Sequence, residues 1–192
     1  LREGAGSGSL RLHRSLTSLV PIVDQVIAIQ RAKAGKRGVQ LVKGHVSSHA
    51  VFVDENLLER SLENLVINAL QAVEDRRGMV QISVVHQADQ LSIQVEDNGP
   101  GVAPELGESL FNVDVTTKSG GTGLGLALVK GVIEAHGGTI AHTQSSLGGA
   151  RFIAKIPIWG ALWYRTCLTM ATCRKRRCCC RTSRRSNTQS FR

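Results

Sequence analysis

Two adjacent runs, MVQISVVH (79–86) and LSIQVE (91–96), alternate apolar and polar residues and are joined by the short polar stretch QADQ. A period of two in neighbouring runs with a polar link reads as an antiparallel hairpin. Its apolar half needs a cover, and the flanking sequence offers helices. From Leu16 to Lys33 apolar residues recur at helical spacing (Leu16, Leu19, Val23, Val26, Ile27) until AKAGKRG breaks the pattern. Pro21 sits near the start of this helix or kinks it. Asp54 reads as a cap for a helix over Asn56–Asp75, whose Leu58, Leu62, Leu65, Ala69 and Val73 form one apolar face. A polar stripe of Asn64, Asn68, Gln71 and Asp75 lies about 130° or more around the same helix.

VQLVKG and HAVFV read as two short strands, and VEDNGPGVAPE as a strand ending in turn chemistry. Residues 103–120 are irregular. A third helix is predicted from Gly123 to Ala135, stopped by Gly137-Gly138. TIAHTQ and ARFIAKIPI form a closing hairpin through SSLGG. Helices alternating with hairpins predict an α+β fold: an α/β sandwich with a mixed, mostly antiparallel sheet and helices packed on one face.

The net charge of +9 invites a nucleic-acid reading, but its distribution excludes a specific one. Residues 159–192 hold nine Arg or Lys and no Asp or Glu, leaving fifteen basic and fifteen acidic residues for positions 1–158. All five cysteines also lie in that tail, and the composition changes just after Pro157. Three domains follow as expectations: a flexible Gly/Ser-rich lead-in at 1–15, a body at 16–158, and a basic, Cys-rich tail at 159–192. The tail reads as a disordered extension, a metal knuckle or a frame-shifted product. A knuckle is disfavoured because no Cys-x-x-Cys and no nearby His accompany Cys178, Cys179 and Cys180. No apolar run reaches membrane-spanning length.

GGTGLGLALVKGVIEAHGG (120–138) raises the question of phosphate, since glycines opening an apolar helix let backbone N–H groups approach an anion. The spacing Gly121-x-Gly123-x-Gly125 follows polar loop and not a strand, so it is no dinucleotide fingerprint. Lys130 is followed by Gly131, so it is no Walker loop.

Taken in order, Asn64 and Asn68 on a helix, Asp97-Asn98-Gly99-Pro100-Gly101 at a strand end, LFNVDVTTK (110–118) and Gly121–Gly125 resemble the N, G1, F and G2 boxes of histidine-kinase catalytic domains. These belong to the superfamily shared with gyrase, heat-shock protein 90 and the mismatch-repair ATPase. The resemblance covers roughly residues 16–158, and Gly-Ala-x-Phe at 149–152 is similar to the end of such domains. It implies a protein-histidine kinase of a two-component system, an ATP-dependent phosphotransferase with ATP and Mg²⁺ as cofactors and a mobile ATP lid at 103–122. By resemblance Asn68 holds the metal, and Asn64 supports the phosphates or the metal's waters; an amide oxygen is a suitable hard, neutral ligand. Asp97 would accept a hydrogen bond from the exocyclic adenine amine. Gly99 and Gly101 would shape the pocket floor. Phe111, Thr117, Lys118, Gly121, Thr122, Gly123, Leu124 and Gly125 complete the implied nucleotide-binding set, with Asn64, Asn68 and Lys118 as the catalytic group. Lys118 could equally be a solvated lysine.

Hydrolysing members of the superfamily carry a glutamate one turn before the metal-binding asparagine, as a base for water. Position 64 is Asn, and Glu63 points about 100° away. The implied acceptor is therefore a histidine on a dimerisation hairpin. No His-Glu-x-x-Asn-Pro motif occurs, and His13 lacks the acidic neighbour and the proline. The hairpin is expected elsewhere, with residues 16–35 as the junction helix after it. The implied partners are that hairpin, a response regulator indirectly, and a second copy of the parent kinase as a homodimer. A non-catalytic nucleotide- or partner-binding fragment is the alternative. Use of ATP implies the cytoplasm, or the cytoplasmic part of a membrane-bound bacterial sensor.

Overall fold

The structure, a computed structural model, describes residues 10–87, 89–112 and 123–158. The expectations placed on Thr117, Lys118, Gly121 and Thr122, on residues 1–9 and on the tail from Trp159 lie outside the described residues. No helix among those described is long and apolar enough to cross a membrane.

The elements run β1 (Ser15–Ser18), α1 (Leu19–Lys36), β2 (Gln40–Val46), β3 (Ala50–Val53), α2 (Glu55–Ala72), β4 (Met79–Gln87), β5 (Gln90–Asp97), α3 (Leu124–Ala135), β6 (Thr139–Gln144) and β7 (Ala150–Pro157), with a 3₁₀ turn at Gly107–Phe111. Five strands form one sheet in the order β2-β4-β5-β7-β6. Among the described strands only the β2–β4 pair is parallel, because α2 provides the crossover that a parallel pair requires. The pairs β4–β5, β5–β7 and β6–β7 are antiparallel. The register sets Ile82 opposite Val95 and Val95 opposite Phe152, so one column of apolar side chains crosses the sheet. That face carries the core, and α1, α2 and α3 pack over it through Val23, Val26, Leu58, Leu65, Val66, Val129 and Ile133.

Local chemistry accounts for the helix ends. The Asp54 carboxylate accepts from Leu57 N at 3.1 Å and starts α2, as its position before the periodic run predicts. At the other end Arg37 donates to Leu70 O and, at 2.8 Å, to Val73 O, so a side chain from another segment closes the helix. Helix α3 stops at Gly137, which takes the left-handed conformation at φ 79°. Gly138 follows because a Cβ there would run into Lys155 O of β7.

Three expectations need correction, and one pairing was not foreseen. Leu16 is no helical residue. It lies in β1, opposite Phe52 of β3 in a separate two-stranded sheet, and is 60% exposed. The helix begins only at Leu19, where the Ser18 hydroxyl accepts from Val20 N. Asp75 does not extend the polar stripe, because α2 ends at Ala72; the carboxylate pairs instead with Arg37 at 2.6 Å. Nor is α1 a junction helix. It buries Leu19, Ile22, Val23, Val26, Ile27, Gln30 and Ala34, and Gln25 and Gln30 bond Glu59 and Glu63 of α2 at 2.6 and 3.1 Å. It is a wall of the sandwich. Finally, β1 and β3 form a ribbon that the sequence pattern did not pair.

Candidate functional site

Helix α2 is the rail of the site. With its apolar face buried, Asn64, Asn68 and Ala72 stand one turn apart on one stripe, spanning about 12 Å at 1.5 Å per residue. Asn64 and Asn68 are half-buried. Asn64 Nδ2 donates to Arg60 O at 2.9 Å, which commits the amide nitrogen to its own helix and turns Oδ1 outward. The start of α3 lies against that oxygen: a Cβ on Gly125 would sit 3.2 Å from Asn64 Oδ1 and 4.0 Å from Asn68 Nδ2. Gly123 caps α3 in the left-handed conformation, φ 65°, with no side-chain hydrogen bond to the first turn. Among the described residues no side chain caps the first N–H groups of this 12-residue helix, which starts beside the two asparagines. Leu124 beside them is exposed.

The far end of the rail meets the end of β5. A Cβ on Gly99 would come within 2.8 Å of Ala72 O, so only glycine lets the turn cross the last residue of α2. Gly101 turns the chain away at φ 81°. Asp97 lies beneath and is 1% exposed. Its Oδ1 accepts from Gly99 N at 2.9 Å and from Ala150 N at 3.1 Å, and its backbone carbonyl accepts from Gly149 N at 3.1 Å. Burial raises the Asp97 carboxyl above its ordinary value, and the bonds from Ala150 and Gly99 offset that only in part. Asn98, next in the Asp-Asn-Gly turn, is structural: it accepts from Met79 N at 2.7 Å and donates to Arg77 O at 2.9 Å, closing the head of β4.

The structure thus brings together Asn64, Asn68, Asp97, Gly99, Gly123, Leu124 and Gly125 along one helix face, with Gly101 leaving it. It draws Phe111 elsewhere. That ring is 5% exposed and packs edge-on against Phe152, with centroids 6.3 Å apart, and against His142 at 6.2 Å. His142 Nε2 donates to Gly107 O at 3.1 Å, so the pair anchors the 3₁₀ turn to the sheet. Glu63 faces α1, held by Gln30, and stands off the asparagine stripe.

Several residues of this neighbourhood carried no sequence expectation of a role. Gly149 and Ala150, noted only for their likeness to a domain end, supply the amides on Asp97. His136 ties the two helices: its Nδ1–H donates to Val132 O at 2.8 Å and its Nε2 accepts from Asp54 N at 3.0 Å. Its environment, chiefly burial, lowers its pKa from the ordinary value. Asp54 in turn accepts from His13 N at 2.7 Å, and Arg14 donates to Ala135 O at 3.1 Å, closing α3. Against the burial that would raise it, these backbone bonds and the neighbouring histidines hold Asp54 below the usual carboxylate range.

A fold of this topology, with asparagines on one helix, an aspartate at a strand end and glycines opening another, defines a class of nucleotide-binding domain. Residues 53–160, more than half of the chain, match the model of the histidine kinase-, DNA gyrase B-, and HSP90-like ATPase family, and the chain belongs to that family. Among curated proteins it is 39% identical to the sensor protein RstB of Escherichia coli K12 over 124 residues, 62% of this chain and 28% of RstB. It is 33% identical to the sensor histidine kinase ZraS of Salmonella typhimurium over 143 residues, 73% of this chain and 30% of ZraS. The chain therefore spans less than a third of the length of either relative. Among solved structures it is similar to the catalytic domain of histidine kinase ThkA in a nucleotide-free form, with TM-score 0.71 and 28% identity over 76% of this chain and 96% of that one. It is also similar to full-length ShkA in complex with AMPPNP, with TM-score 0.69 and 26% identity over 79% of this chain and 32% of that one.

Proposed function

We propose that residues 16–158 form the ATP-binding catalytic module of a sensor histidine kinase, which delivers the γ-phosphate of Mg-ATP to a histidine on a dimerisation hairpin outside this chain. The observation that carries this reading is Asp97, a buried carboxylate fixed by two backbone amides at one end of the rail whose other end carries Asn64, Asn68 and the N-terminus of α3. Asp97 accepts the adenine amine, with Gly99 and Gly101 leaving room for the base. The first N–H groups of α3 and the Gly123–Gly125 stretch receive phosphate oxygens. Asn64 and Asn68 offer neutral amide oxygens, and the bare Gly125 leaves space beside them, a donor set that suits Mg²⁺ with its waters retained. Bound there, the ion would neutralise charge on the phosphate oxygens. Glu63 is tied to Gln30, so among the described residues no carboxylate stands over the stripe to activate water. Transfer to an outside acceptor follows, and positioning is most of what such transfer needs from the protein. Thr117, Lys118, Gly121 and Thr122 belong to the lid of this reading, and Phe111 seats its near end. The partners are the acceptor hairpin in a homodimeric parent kinase and, through it, a response regulator. The module works on the cytoplasmic side, where ATP is.

Calorimetry with Mg-AMPPNP tests the reading on the unaltered chain and on Asp97→Asn and Asn68→Ala. Each change is expected to weaken binding about ten- to hundredfold, the scale of a lost charge-assisted hydrogen bond or ligand. A folded, unaltered chain that binds no AMPPNP sinks it.

The pH dependence has a definite sign. Accepting the amine needs the ionised carboxylate, so affinity falls as pH drops through the raised pKa of Asp97. The loss begins at higher pH than for an ordinary aspartate, whose value is near 3.8. Affinity that holds flat down to that ordinary range would contradict Asp97 as the acceptor.

A further inference from the structure

Strand β5 ends in two neighbouring carboxylates, Glu96 and Asp97, whose side chains leave opposite faces of the sheet. Asp97 faces the helices. Glu96 faces the side that carries no helix among the described residues, yet it is only 7% exposed. Its cover is the β6–β7 turn. Three groups converge on one oxygen, Glu96 Oε2: the Ser145 hydroxyl donates at 3.0 Å, the Ser146 hydroxyl donates at 3.1 Å, and Arg151 Nε lies 3.1 Å away. The Arg151 N–H is aimed off the line, so that contact is ionic and not directional. Burial alone would raise the Glu96 carboxyl, but these bonds and the Arg151 charge hold it below its ordinary range. Glu96 therefore stays ionised.

Ser145 also closes the turn itself. Its N–H donates to Gly149 O at 2.8 Å, its carbonyl accepts from Gly148 N at 3.1 Å, and its hydroxyl oxygen accepts from Leu147 N at 3.0 Å. The first residues of the turn are thus held by Glu96, and its last residues supply the Gly149 and Ala150 amides to Asp97. One five-residue link is clamped at both ends by adjacent residues of β5. Both N–H bonds to the Asp97 side chain fall on Oδ1, so the plane of the carboxylate is fixed and Oδ2 is the oxygen outside that pair.

Resting on the adenine-nucleotide reading above, we propose that Glu96 is a positioning residue that sets base preference. By holding the Ser145–Gly149 turn down, it keeps the Ala150 amide on Asp97 Oδ1, beside that of Gly99. One oxygen in a fixed plane suits the single exocyclic amine of adenine. Guanine offers an N–H and an NH₂ side by side, which a carboxylate with both oxygens at liberty would grip in a bidentate pair. Occupying Oδ1 denies guanine that grip, so the clamp acts by excluding the wrong base.

The test compares Glu96→Ala, Glu96→Gln and the unaltered chain. Affinities are measured for Mg-AMPPNP, Mg-GMPPNP and Mg-tripolyphosphate, and amide exchange is measured without ligand. In Glu96→Ala, GMPPNP is expected to bind about tenfold more tightly while AMPPNP and tripolyphosphate change little, which narrows the adenine preference about tenfold. The Gly149 and Ala150 amides exchange about tenfold faster or more, while Leu65 and Val66 in α2 stay protected. Glu96→Gln keeps an acceptor for the serines and restores most of the preference. Equal losses for all three ligands would mark Glu96 as merely structural and overturn the proposal, as would an unchanged base ratio. If the unaltered chain binds neither nucleotide, the proposed function falls. The clamp is then judged by exchange: unchanged rates at Gly149 and Ala150 overturn it.

Discussion

Gly149→Ala is expected to abolish adenine-nucleotide binding and to destabilise the domain, although the change adds one methyl group. A Cβ at this position would lie inside contact distance of Asp97 Oδ1 and Gly99 N, and 2.7 Å from Asp97 O. Two of the three obstacles are backbone atoms, which cannot swing aside, and the third is the carboxylate that the site depends on. Either the turn lifts, and Asp97 loses both amides from the β6–β7 side, or the Gly99 turn is pushed along the end of α2. Overpacking of this kind costs about 1–3 kcal/mol, and AMPPNP affinity should fall at least about a hundredfold. Gly131→Ala is the control. A methyl group on that helical glycine would meet no atom of the described residues within 4 Å, so the change should keep binding and add up to about 1 kcal/mol of stability. Thermal denaturation and calorimetry on the two variants decide the matter: a Gly149→Ala chain that binds like its parent would show that the site tolerates a displaced turn.

His136→Ala carries the largest expected effect on stability. The ring is buried and uses both nitrogens, so its removal leaves the Asp54 N–H without its partner and opens a cavity between α2 and α3. Together these are worth about 3–5 kcal/mol, a drop of roughly 10 °C in Tm for a domain of this size. The acid limb of the stability curve adds a second readout. The folded pKa of His136 lies below its ordinary value of 6.5, so the native state holds the neutral ring. Its contribution is full above that ordinary value and is lost as pH falls from there toward the folded pKa. Asp54, also depressed, adds its own loss only lower, below its ordinary 3.8. Urea midpoints of the parent should therefore decline from near pH 6.5 downward, and those of His136→Ala should show less of that slope. A variant that loses under about 1 kcal/mol and keeps the full acid slope would remove His136 from this role.

What the sequence disclosed follows the range of the interaction. Helix α2 was legible because Asp54 and its apolar period act within a few residues, and so were the β4–β5 hairpin and the double glycine after α3. The ribbon of β1 and β3 was not. Leu16 fits a helical and a strand period equally, and only pairing with Phe52, 36 positions on, decides between them. The end of α2 was misjudged because its cap, Arg37, comes from before β2. Asn64, Asn68, Asp97 and the glycines stood out as residue types unusual for their local setting. Gly149, Ala150, Glu96 and His136 did not, since each matters through a partner far away in the chain. Phe111 shows the converse: a motif can name a residue without saying which way its ring turns.

The order of the chain also gives the pocket a time of completion. During synthesis the stripe of α2 and the carboxylate of Asp97 emerge first, and the amide of Ala150 follows 53 residues later. At ~5–20 residues per second that delay lasts about 3–10 s. Throughout it β5 has β4 on one side and an open edge on the other, because its second neighbour is the last strand. The nascent domain can own three helices and a hairpin and still have an unaimed aspartate. Its competence for nucleotide arrives with the final hairpin, as one late event.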